Sequence, residues 1–96
     1  MKAYSIVQVE VTDQATYDAY RKDVMPTIAA FGGKFLVRGG KMTKLEGEWP
    51  YSRAVVIEFP SREAAEGWYH SPAYQKLLPL RLRASRGNFI IVDGVE

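Results

Sequence analysis

The stretch Phe35-Leu36-Val37-Arg38-Gly39-Gly40 decides how the chain is read. It begins as the apolar run of a buried strand and ends in two glycines. In its middle stands an arginine, a residue type that almost never enters a core unpaired. Ala54-Val55-Val56-Ile57-Glu58-Phe59 repeats the arrangement with a carboxylate in place of the cation. Between the two lies Glu46-Gly47-Glu48-Trp49-Pro50, whose glycine and proline mark a turn and keep it out of a sheet. A hairpin centred near Glu48 sets Arg38 opposite Glu58 on one face. A slip of one residue sends them to opposite faces.

Upstream, residues 3–11 alternate Val7, Val9 and Val11 with Gln8 and Glu10, a strand signature, while Tyr4 and Ile6 make the other face partly apolar. Thr12 and Asp13 are candidate N-caps for a helix over residues 14–31, in which Tyr17, Tyr20, Val24, Ile28 and Phe31 share one face. Pro26 predicts a kink or break near residues 23–25, and Gly32-Gly33 a C-terminal stop. Lys41 to Leu45 extend the second strand in this reading, with the glycines at a bend or bulge.

Downstream, Pro60-Ser61 ends the third strand and caps a helix carrying Ala64, Ala65, Trp68 and Tyr69. Ser71-Pro72 starts a further short helix, which Pro79 ends or kinks. Gly87-Asn88 breaks the chain before a last strand, Phe89-Ile90-Ile91-Val92. The order strand, helix, strand, strand, helix, strand is the ferredoxin-like βαββαβ plan of the α+β class, a four-stranded antiparallel sheet with its helices on one face. Apolar residues nevertheless fall on both faces of the third and fourth strands. The open face needs a cover, and the economical cover is a second copy related by a two-fold axis. The expectation is a homodimer joined through the open sheet face and enclosing an inner space.

Composition narrows the classes. Residues 1–96 make one domain, with a net charge of +2 and basic residues scattered along the chain, so nucleic acid is not expected as a partner. There is no cysteine and one histidine, His70, which leaves no disulfide framework, no thiolate nucleophile and no ligand cluster for a metal. No apolar run has the length of a membrane span or a signal peptide, and a cytoplasmic location is expected.

Across essentially the whole chain, Val9-Glu-Val-Thr-Asp13, Tyr17 and Tyr20, Gly32-Gly-Lys-Phe-Leu-Val-Arg-Gly-Gly40, Leu45-Glu-Gly-Glu-Trp-Pro50, Val56-Ile-Glu-Phe-Pro-Ser61 and Trp68-Tyr-His-Ser-Pro-Ala-Tyr74 closely resemble the family known as domain of unknown function 1330. The resemblance implies the dimeric α+β barrel fold, shared with antibiotic-biosynthesis-type monooxygenases, muconolactone isomerases, chlorite-dismutase-like haem proteins and stress-responsive barrel proteins. It implies no reaction.

The candidate catalytic residues are Arg38, Glu58 and His70. Arg38 with Glu58 is either a structural ion pair or an anion clamp with a base beside it. His70 ends a helix, where a cation favours the dipole, or it serves as an acid–base group or haem ligand at a pocket mouth. Trp49, Tyr69, Tyr74 and Gly39 are candidate ligand-binding positions, Trp49 because it stands on a loop and Gly39 because it admits close approach. No cofactor is called for. Three functions remain open: a small cofactor-free enzyme of oxygenase or isomerase type acting on an organic acid or phenol in a small-molecule pocket between helices and sheet, a non-catalytic ligand-binding or stress-response module, and a purely structural dimer.

Overall fold

The computed structural model describes residues 1–95. Seven elements follow one another: β1 (Ala3–Val11), α1 (Gln14–Ala29), β2 (Lys34–Arg38), β3 (Arg53–Phe59), α2 (Arg62–His70), α3 (Pro72–Ala84) and β4 (Ser85–Asp93). The strands form one antiparallel sheet in the order β2-β3-β1-β4, and the fold is the expected ferredoxin-like α+β arrangement with a third helix. Alternation fixes the faces. In β1, Ala3, Ser5, Val7 and Val9 are buried beneath the helices, while Ile6 between them is exposed. Val55, Ile57 and Phe59 of β3 join the buried side and complete a core with Tyr17, Tyr20, Val24 and Ile28 of α1.

Short polar side chains set the helix starts. The Asp13 carboxylate accepts from the Thr16 backbone N–H at 3.2 Å, Ser61 Oγ from that of Ala64 at 3.0 Å, and Ser71 Oγ from that of Tyr74 at 3.3 Å. Each supplies an acceptor to a first-turn donor that has none within the helix. Gly32, at φ +77°, turns the chain out of α1 as its position predicts.

Four local expectations are corrected. The break expected at Pro26 and the end expected at Pro79 do not occur: α1 and α3 run through them, since each proline costs one backbone bond and both helices are held by packing on each other and in the core over the sheet. Lys41 to Leu45 add no strand to β2. Gly87-Asn88 lies inside β4, where a Cβ on Gly87 would run into the Gln8 carbonyl and where Asn88 Nδ2 donates to Gln8 Oε1 at 3.1 Å. The hairpin, finally, is not centred on Glu48. Lys34 faces Glu58 and Arg38 faces Val55, with an irregularity at Leu36 between the two registers. The extra residue returns Arg38 to the helix side while Glu58 stays on the open side.

Candidate functional site

That register decides what the sequence-predicted residues can do together. Glu58 points to the open face, where Lys2 Nζ and Lys34 Nζ each approach a carboxylate oxygen at 3.4 Å. Burial acts to raise its pKa, but hydrogen bonds and charge from Lys2 and Lys34 outweigh it and hold the carboxyl below its ordinary value. Arg38 points the other way, into a cavity between α1, α3 and the sheet. The expected Arg38–Glu58 pair therefore does not form.

The cavity draws its polar groups from several elements. Tyr17, Tyr20 and Arg21 come from α1, Arg38 from β2, Arg53 from β3 and Arg81 from α3. Aliphatic side chains such as Val24, Ile28, Val55 and Ile57 make the remaining wall, with Trp68 and Phe89. Among these lining residues there is neither carboxylate nor imidazole. The space open to the centres of water molecules is about 30 Å3, room for about two waters.

One end of the cavity is a chain of donors. Arg81, 8% exposed, donates from Nε to the Tyr74 hydroxyl at 3.1 Å, and Tyr74 Oη lies 2.9 Å from Tyr20 Oη. The Tyr74 oxygen accepts from the guanidinium, and either phenol can donate in the Tyr20–Tyr74 bond; when Tyr74 donates, the Tyr20 proton is free for a cavity ligand. Burial pushes the Tyr20 phenol well above its ordinary range, and the neighbouring Tyr74 adds to this, so Tyr20 is a donor and not a base. Burial also raises Tyr74, against the pull of Arg81. Burial opposes the Arg81 cation, but Tyr74 outweighs it and leaves its pKa raised.

The other end is cationic. The Arg38 guanidinium sits 4.3 Å from the centroid of the Phe35 ring, and that of Arg53 5.9 Å from the Tyr17 ring. Burial lowers the Arg38 pKa, and the charges of Arg21 and Arg53 lower it further. Gly39, at φ +73°, makes room here: a Cβ at that position would overlap the Arg53 guanidinium. The missing side chain of Gly39 thus leaves room for an arginine.

The other candidates fall elsewhere. His70 is exposed at the end of α2, edge-on to Tyr69 with ring centroids 5.3 Å apart. Tyr69 borders a separate shallow hollow with Phe89 and Ile91. Trp49 lies over the open face of the sheet, beside Ile6, Gln8 and Ile90. Reading the sequence missed Arg53, Arg81 and Arg21, while Tyr20, placed on the buried stripe of α1, is core and also lines the cavity. The missed signal is phase. Arg81 falls seven residues after Tyr74 on the buried stripe of α3, and Arg53 keeps step with Val55, Ile57 and Phe59.

The architecture defines a ferredoxin-like α+β protein with a polar cavity on the helix side of its sheet. The chain belongs to the family described as domain of unknown function (DUF1330), whose model matches residues 2–95. No curated protein matches it. Among solved structures it is similar to a protein of unknown function from Rhodopseudomonas palustris, with 19% identity, 99% of this chain and 83% of that chain covered, and a TM-score of 0.79. It also resembles SnoaB, a cofactor-independent oxygenase from Streptomyces nogalater, at 11% identity over 99% of this chain and 94% of that one, with a TM-score of 0.65. A dimeric ferredoxin-like protein of unknown function from a Jannaschia species is similar at 11% identity, 98% and 100% coverage and a TM-score of 0.65. At such identities the likeness shows the fold.

Proposed function

We propose that the chain forms a homodimer through the open face of its sheet and that each protomer binds a small organic molecule in the helix-side cavity. The observation that carries the ligand reading is the hydrogen-bonded run Arg81, Tyr74 and Tyr20, ending at Tyr20, which lines a cavity whose other walls are largely apolar. Such a wall accepts an apolar body and orients one oxygen of it. The dimer is supported by Val37, Val56, Ile6 and Ile90, which stand in register across all four strands on the open face. Ile90 is 55% exposed and Ile6 37%, a row of apolar surface that a second sheet would cover.

Binding is the better supported of the functions left open by the sequence, because no lining residue offers a general base. Cofactor-free oxygenase or isomerase chemistry is the second reading. Its support is the same donor chain, which would stabilise negative charge developing on a substrate oxygen, together with the fold shared with SnoaB. In that reading the substrate must lose its proton without help from Glu58 or His70, since both stand outside the cavity.

The test is a fluorescence titration with phenol. Trp49→Phe leaves Trp68, on the cavity wall, as the sole tryptophan. Phenol is expected to change Trp68 emission saturably, and Tyr20→Phe to weaken binding several-fold. Binding unaffected by Tyr20→Phe would remove the donor chain from the account.

A further inference from the structure

The proposed ligand site has a second polar end, and its chemistry names a ligand class. We infer that the cavity receives the carboxylate of a small apolar organic acid at the cluster formed by Arg38, Arg53 and Arg21. This rests on the reading of the cavity as a ligand site.

Three guanidinium groups from α1, β2 and β3 line this one cavity. Among the described residues, Arg38 and Arg53 have no carboxylate within 4 Å, and Arg21 meets only Asp18, at 3.9 Å on the exposed surface of α1. Like charges gathered in a partly buried site repel, and a bound anion relieves that repulsion. Two nitrogens make the deficit specific: Arg53 Nε and Arg21 Nε are buried without a hydrogen-bond partner. A donor removed from water and left unpaired marks a place where an acceptor belongs.

The cations are also held in position. Phe35 and Tyr17 present ring faces to Arg38 and Arg53, and the missing side chain of Gly39 leaves space for the Arg53 guanidinium. Guanidinium groups so placed match the planar, two-oxygen geometry of a carboxylate. The neighbouring wall is aliphatic, which gives the rest of the ligand an apolar body; inorganic phosphate would leave that wall without a partner. The space as it stands holds about two waters, less than such an acid occupies, so binding requires the long arginine side chains to move apart.

The experiment titrates the Trp49→Phe protein with benzoate, benzyl alcohol and inorganic phosphate, reading Trp68 emission and the thermal midpoint. Benzoate is expected to bind at least about tenfold more tightly than either alternative, from charge-assisted hydrogen bonds to the guanidinium groups. Arg38→Met and Arg53→Met are each expected to lower benzoate affinity about tenfold and that of benzyl alcohol far less. Equal binding of benzoate and benzyl alcohol overturns the carboxylate and leaves the cavity as a neutral-ligand site. Phosphate binding as tight as benzoate overturns it in favour of a general oxoanion site. If none of the three perturbs Trp68, the ligand reading falls with it. The ranking in protein with all its arginines decides the question even if an arginine variant does not fold.

Discussion

Trp68 shows how one side chain joins core to cavity. It is fully buried among Phe59, Tyr74 and Phe89, and its indole N–H donates to Thr27 Oγ1 at 3.0 Å. Thr27→Val leaves that N–H without an acceptor and is expected to cost about 1–3 kcal/mol in a urea unfolding curve. Trp68→Ala, which also opens a void, is expected to cost about 3–5 kcal/mol. The arginines behave in the opposite sense. Arg81 is buried with a phenol and no carboxylate for a partner among the described residues, and burial works against its charge. Arg81→Met is expected to leave the ligand-free protein as stable as before, or to stabilise it by about 1 kcal/mol, while weakening binding of phenol. A clear loss of thermal stability in Arg81→Met would make Arg81 a structural residue and not one held for a ligand.

Among the elements, α1 and the β2–β3 hairpin show what the sequence discloses and what it conceals. The start of α1 is legible because capping depends on a few adjacent residues. The Thr16 hydroxyl, then its backbone N–H, hold the Asp13 carboxyl below its ordinary value. A depressed folded pKa contributes stability that is present above the unfolded value and is lost as pH falls through the folded one. The Asp13 contribution should thus disappear below about pH 4, and the thermal midpoint of Asp13→Asn should fall less than that of the parent between about pH 5 and about pH 2. The hairpin is less legible. Its register depends on one extra residue at Leu36, and the glycines that signal a bulge, Gly39-Gly40, lie beyond it. Nothing local in Phe35-Leu36-Val37 marks the irregularity, yet it determines that Arg38 enters the cavity and Glu58 does not. Arg53 and Arg81 were readable by phase, but a cation on an apolar stripe is more simply taken as a rim residue until the tertiary structure closes over it. Gly39→Ala puts a methyl group at a positive φ and against the Arg53 guanidinium. It should destabilise by about 1–2 kcal/mol in a urea unfolding curve and lower benzoate affinity together.

Two places for a ligand come into question at the scale of the whole molecule, the cavity under the helices and the space between the sheets of the proposed dimer. The sequence pointed to the open face, since its apolar residues ask for a cover. The apolar row through Ile6 and Ile90 now supports that face as an interface, and Ile90→Lys should shift the protein from dimer to monomer in light scattering behind a sizing column. The proposed ligand site lies on the other side, with the arginines and phenols. The most direct measurement is a crystal structure of the protein soaked in benzoate, read for where the molecule lies. The carboxylate is expected within hydrogen-bond distance of the Arg38 or Arg53 guanidinium, with the ring against the aliphatic wall formed by Val55 and Ile57. Benzoate found beside Trp49 and Ile90, with only water under the helices, would contradict it.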